Sequence, residues 1–277
     1  MNLTLAEVQQ MNAIQLDIFK NFIDVCHKLN LTYYMVHGSL LGALRVSDFM
    51  PYDDDIDVAM PRHDYEILME KGQDLLPKYL FLQSHKTDLE YPLAFAKIRN
   101  INTTFSQTIM KNLKINEGIY IDIFPIDNYP ESNVMRKWIS IKEKFYGARI
   151  SSRLFYEKEQ SFWKRAVRSI VSFLYPSWNE AVRARANLYT NLRDTGFVIT
   201  IGGKPIERGI SRKLFGNPIL LNFAGMSITC PEKTEKYLEC IYGDYANYDP
   251  MGKYMNKDGT VSVSAEKFST TKSFLLK

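Results

Sequence analysis

The sequence predicts an α+β protein, and three observations carry that prediction. Residues 5–29 place apolar side chains at Leu5, Val8, Met11, Ile18, Phe22, Val25 and Leu29, the spacing of an amphipathic helix. Short extended pieces recur at residues 33–36, 55–60, 79–83, 93–98 and 118–127, separated by turn residues and two further helical patterns. From residue 132 the pattern turns helical and stays so to Gly196.

Thr4 followed by Glu7 forms a capping box for the first helix, and Asn30 is its stop. Residues 33–36 form a core strand that turns into a helix at Gly38-Ser39. A helix beginning at a glycine after a strand presents unpaired N–H groups and the positive end of its dipole, which suits a phosphate. Leu40, Leu41 and Leu44 pack this helix inward, and Arg45 emerges one turn later, where it could reach a phosphate or pair with the acidic run that follows.

That run, D-D-D-I-D-V-A-M over residues 53–60, sets Asp55 and Asp57 on one strand face with Ile56 and Val58 on the other. Two adjacent carboxylates repel unless a cation lies between them, and hard oxygen ligands suit Mg²⁺. An EF-hand loop is excluded, because Val58 and Asp64 stand where it needs Gly and Glu. A phosphate cradle close to a two-carboxylate metal site describes a nucleotide-dependent transferase. A D-x-D glycosyltransferase is the alternative on these residues alone.

Pro61 ends the strand, and a helix runs to residue 76. Lys97 lies in a later strand, either aiming a cation along the sheet face or simply exposed. Asp122 stands alone among apolar residues in 118–127. A buried carboxylate needs a cation or a proton, so Asp122 is expected beside Asp55 and Asp57 as a third metal ligand. Asp127, after Pro125, is expected to cap the next helix. His37 is read as structural.

The helical region spans residues 132–156, 159–175 and 177–194. It is dense in aromatics (Trp138, Phe145, Tyr146, Phe155, Tyr156, Phe162, Trp163, Phe173, Tyr175, Trp178), most of them expected in the core. Residues 136–185 carry twelve basic against four acidic residues, +8 in a chain whose total is +4. Solvated basic helix faces are the plainer reading; a polyanionic acceptor or an anionic membrane leaflet is the other. Further on, extended pieces are expected near Gly202-Gly203, a hairpin turns at Ala224-Gly225, and a helix starts at Pro231. The tail from Met251 has no assignable pattern.

At 277 residues, 45% apolar and 24% charged, the chain has the composition of an ordinary globular protein. Cys26, Cys230 and Cys240 have neither disulfide nor zinc spacing. No secretory leader or membrane-spanning run is evident, so the expected location is cytoplasmic, at most peripheral to the inner face of the membrane. No nucleic-acid partner is expected.

Taken together, G-S-L-L-G-A-L-R (38–45), D-D-D-I-D-V (53–58), A-K-I-R (96–99), I-D-I-F-P-I-D (121–127) and Y-L-x-x-x-Y-G-D-Y (237–245) resemble the LicD family of phosphotransferases. That family is similar to bacterial phosphocholine transferases and, more distantly, to fukutin-type ribitol-phosphate transferases. The resemblance implies a nucleotidyltransferase-like small mixed sheet flanked by helices, with an added helical region. The chain then divides into a core (1–130), a basic aromatic-rich helical region (131–195) and a C-terminal segment packing back on the core (196–277). It implies transfer of phosphocholine, or ribitol- or glycerol-phosphate, from CDP-choline or another CDP-alcohol. The acceptor is a sugar hydroxyl of a glycan or lipid-linked glycan, such as a teichoic acid precursor, and CMP leaves. Carried over by position, Asp55, Asp57 and Asp122 are catalytic and bind one or two Mg²⁺, with Asp122 deprotonating the acceptor. Gly38 and Ser39 hold the donor phosphates, and Arg45 and Lys97 neutralise them. The chain departs from the family at His37 and in lacking a basic, His-containing ending. A non-enzymatic polyanion-binding protein is the competing class.

Overall fold

The structure is a computed structural model, and it describes residues 1–50, 53–154, 162–174, 177–200, 209–248, 256 and 258–270. The chain opens with β1 (Asn2–Leu3) and α1 (Leu5–Leu29). Thr4 and Glu7 close the expected capping box, and Asn30 ends the helix in the left-handed conformation. The inner face of α1 buries Met11, Ile18, Phe19 and Phe22 completely. Each such side chain contributes roughly 1.5–3 kcal/mol of transfer free energy.

Next come β2 (Tyr34–Met35), α2 (His37–Val46), β3 (Asp57–Pro61), α3 (Arg62–Leu75) and β4 (Leu80–Gln83). β5 (Ala96–Asn100) begins later than the apolar pattern suggested, its pairing with β7 starting at Ala96 opposite Ile123. β6 (Thr104–Gln107) precedes the long strand β7 (Ile119–Asn128). The central sheet runs β2-β3-β7-β5-β4, with β3 parallel to β7 and the other neighbours antiparallel. β5 pairs with β7 only as far as Ile123, and β8 (Phe197–Thr200) takes over from Ile126. Pro125 falls in that changeover, which explains how a proline is tolerated in a strand between two neighbours. α1 lies against β7 and β5, and α3 against β3, β4 and β7.

After β7 come α4 (Asn133–Leu154), α5 (Phe162–Leu174) and α6 (Trp178–Ala186). α6 stops well short of residue 194, in a turn that begins at Asn187. α4 and α6 enclose two small apolar clusters, one around Ile139, Tyr129 and Tyr189 and one around Ile150, Trp178 and Val182. The aromatics of this region divide. Trp178 is buried, but Trp138, Trp163 and Phe173 are largely exposed, which corrects the expectation of a mainly core role.

β8 returns to the central sheet and pairs with β9 (Ile210–Ser211). β10 (Ile219–Phe223) and β11 (Met226–Cys230) form the expected hairpin, with Ala224 and Gly225 both at positive φ. α7 (Thr234–Tyr242) packs on α2. β12 (Val261–Ser262) and β13 (Ala265–Ser269) give part of the tail a place, pairing with β1 and β6. The three cysteines are free. The extended piece expected at Gly202-Gly203 lies outside the described residues, as do Phe155, Tyr156 and Tyr175. The mixed helices and sheets bear out the α+β expectation.

Candidate functional site

Strand register builds the site. In the parallel ladder Asp57 stands opposite Asp122, and in the antiparallel ladder on the other side of β7 Lys97 also stands opposite Asp122. Residues directly opposed across neighbouring strands share a face, so Asp57, Asp122 and Lys97 form a row across three strands. Val58, Ile121, Ile123 and Ile98 take the alternate positions and are fully buried. Asp55, two residues ahead of Asp57, joins the row: one carboxylate oxygen from each of Asp55, Asp57 and Asp122 lies within 4.8 Å of the others. Asp53, Asp54 and Asp55 make a second set of the same kind.

The acidic run is held by its backbone, which leaves its carboxylates facing inward. The Asp57 N–H donates to Ser39 Oγ at 2.9 Å, and the Asp122 N–H donates to the Ile56 carbonyl at 2.8 Å. Gln15 Nε2, from the buried face of α1, donates to the Asp54 carbonyl at 2.7 Å. Gln15 escaped the sequence reading, yet it carried a signal: it is a polar residue inside the apolar stripe Met11–Ile18.

Electrostatics is severe here. Lys97 is 1% exposed and its Nζ donates to Asp122 Oδ1, so it is not a surface strand lysine. The same ammonium sits 3.4 Å from the centroid of the Tyr120 ring, and the Arg99 guanidinium lies 4.7 Å from that ring. Arg99 is itself buried, donating to Gln83 and to the Gly118 carbonyl. Burial drives the Asp55 and Asp57 carboxyls well above the carboxylate range, and the neighbouring aspartates add to the effect. Burial also raises Asp122, with Lys97 opposing, and lowers Lys97, with Asp122 opposing. Five carboxylates face one hydrogen-bonded ammonium. A divalent cation with hard-oxygen preference fits that donor set, and Asp55, Asp57 and Asp122 are the residues that could hold it.

The phosphate-cradle residues have partners of their own. A side chain at Gly38 would meet the Asp53 carboxylate at 2.8 Å, so glycine is required for that carboxylate to lie against the start of α2. Ser39 is buried, with its hydroxyl set between the backbones of Asp55 and Asp57. Arg45, expected at the donor phosphates, donates to the carbonyls of Tyr245, Ala246 and Tyr248. It therefore fastens the late Y-G-D-Y segment to α2. Tyr237, from the same late motif, is fully buried near His37, with ring centroids 6.4 Å apart. His37 has φ 51 and packs edge-on to Phe124. Asp127 does not cap α4; it is buried and takes two hydrogen bonds from Arg62. Tyr91 was missed altogether. It is fully buried, and its hydroxyl finds no hydrogen-bond partner among the described residues.

Residues 30–154 match the family model described as "LicD/FKTN/FKRP, nucleotidyltransferase domain". Those residues are similar to the LicD family. Over 257 residues it is 25% identical to the lipopolysaccharide cholinephosphotransferase LicD of Haemophilus influenzae, covering 90% of this chain and 93% of that protein. An uncharacterized Rickettsia prowazekii protein, RP689, is 30% identical over 115 residues, 41% of this chain and 39% of that one. The matched stretch spans α2, the acidic run and the Lys97 and Asp122 strands, so the row of charged groups lies within the matched residues. Tyr237 and the segment held by Arg45 lie beyond them, and the longer relative is similar there as well.

Proposed function

We propose that this protein is a LicD-family transferase that moves phosphocholine, or a related phospho-alcohol, from a CDP-activated donor to a sugar hydroxyl of a cell-surface glycan. The observation that carries the reading is the in-register row of Lys97, Asp122 and Asp57 with Asp55 beside it. The name of the Haemophilus relative supports phosphocholine as the group and a lipopolysaccharide-type glycan as the acceptor class.

Asp55, Asp57 and Asp122 would hold Mg²⁺, which when bound draws charge from the donor phosphates and the departing CMP. The acceptor oxygen attacks the phosphorus bearing the alcohol, and the bond from that phosphorus to the CMP oxygen breaks. Asp122, facing the site beside Asp55 and Asp57, would accept the hydroxyl proton. Lys97 keeps Asp122 oriented through their hydrogen bond and adds positive charge where the transferred group develops negative charge. Gly38 and Ser39 set the acidic run against α2.

The test is calorimetric titration of CDP-choline, CDP-ribitol, CDP-glycerol and a UDP-sugar, with and without Mg²⁺, on the wild type and on Asp55→Asn. Mg²⁺-dependent binding of one CDP-alcohol, lost in the variant, is expected. Binding of the UDP-sugar alone would replace this reading with a glycosyltransferase.

A further inference from the structure

α4 is apolar on two opposite sides, and only one of them is covered. Ile139 and Ile150 are buried in the clusters shared with α6. Val134, Trp138 and Ile141, at the i, i+4, i+7 spacing of one helix face, are 79%, 55% and 59% exposed. By the same periodicity Lys137 and Lys144 flank this stripe on one side and Lys142 on the other. The Lys142 ammonium lies 5.3 Å from the Trp138 ring. α5, which packs on α4, adds Trp163 at 75%, Ile170 at 59% and Phe173 at 85% exposure. Monomeric proteins rarely leave stripes of large apolar side chains on two packed helices in water.

We propose that this α4–α5 face docks on an anionic lipid bilayer. Tryptophan and phenylalanine side chains between lysines match the interfacial zone, where rings enter the headgroup layer and ammonium groups stay in the polar layer. The charge agrees: α4 has six basic residues against one acidic, and α5 has three and none. A cationic face of this kind is drawn to anionic lipid. A second copy of the chain is the poorer occupant, because self-docking would oppose the same lysines. No helix among the described residues is long and apolar enough to cross a membrane, so the helices lie along the surface. The face is separate from the acidic row, and the inference stands whatever the donor proves to be.

The test is flotation of the full chain with vesicles of phosphatidylglycerol and phosphatidylcholine, and with vesicles of phosphatidylcholine alone. Wild type should float with the anionic vesicles and lose binding as salt rises. Trp138→Ser with Trp163→Ser should weaken partitioning at least about tenfold, and Lys137→Gln or Lys144→Gln about fivefold each. Circular dichroism should stay unchanged, since all four side chains face solvent. Wild type that stays in solution with both vesicle types, or variants that float like wild type, would overturn the proposal. So would a wild-type dimer in solution that the same tryptophan substitutions dissociate, because the face would then close on a second copy.

Discussion

Replacing Lys97 by methionine keeps the volume and removes the charge. Lys97 is 1% exposed and is the hydrogen-bond donor to Asp122, which stands opposite Asp57 and close to Asp55. Breaking a buried pair on one side costs about 3–5 kcal/mol, because the remaining charge is stranded. The loss must also depend on pH. Burial and like charge raise the aspartate pKa values in the folded state, so their proton-linked stability is present below about pH 4 and lost as pH rises. Without Lys97 the folded-state values rise further, and the variant should fall behind wild type most at high pH. Urea unfolding at pH 5 and pH 8, without divalent metal, measures both quantities. A deficit near 3–5 kcal/mol at pH 8 that shrinks at pH 5 is expected. A deficit under about 0.5 kcal/mol at both pH values is what an exposed strand lysine would give, and it would refute the buried row.

Three other outcomes follow from the same geometry. Gly38→Ala puts a methyl group 2.8 Å from the Asp53 carboxylate; it should cost about 1–3 kcal/mol and weaken donor binding, whereas unchanged titration and unfolding curves would remove the close packing assigned to Gly38. Arg45→Gln should raise hydrogen exchange across residues 243–248, where it holds the carbonyls of Tyr245, Ala246 and Tyr248, with about 1.5–3 kcal/mol of local protection lost. Weakened donor binding with unchanged exchange would instead return Arg45 to the diphosphate. Mg²⁺ should raise the melting temperature more at pH 8 than at pH 5. Burial and like charge hold the Asp55 and Asp57 carboxyls well above the carboxylate range, so the metal must displace more protons from its ligands at the lower pH. An equal shift at both pH values would argue against a carboxylate site.

How much of this was legible in the sequence depended on the range of the interaction. The α1 capping box and the Ala224-Gly225 hairpin rest on residues a few positions apart, and both appear as expected. Asp122 was legible over a longer range, because a carboxylate in an apolar strand demands a cation whatever the topology. Lys97 was undecided: strand period gives alternation but not which strand lies next door, and the register supplies that. The carbonyl partners of Arg45 were not legible because they are some two hundred residues away in sequence. The exposed aromatics of α4 and α5 defeated the pattern for another reason. Apolar side chains at helical spacing look the same whether the face meets protein or lipid.

The anchors of the acidic run act on its backbone. Gln15 binds the Asp54 carbonyl, Ser39 binds the Asp57 N–H, and the Val36 N–H binds the Asp57 carbonyl. Among the described residues Lys97 is the one side chain that hydrogen-bonds any of the five clustered carboxylates. A run whose carboxylates were capped by serines or arginines would be more stable and would have no oxygens left to offer. This arrangement fixes position and leaves most of the carboxylate oxygens unpaired, which costs stability in the free protein and fits the donor set of a divalent cation. The parallel pairing of β3 with β7 is what makes that possible. It brings Asp57 and Asp122 level, far apart in sequence, on two strands whose other faces are locked in the core.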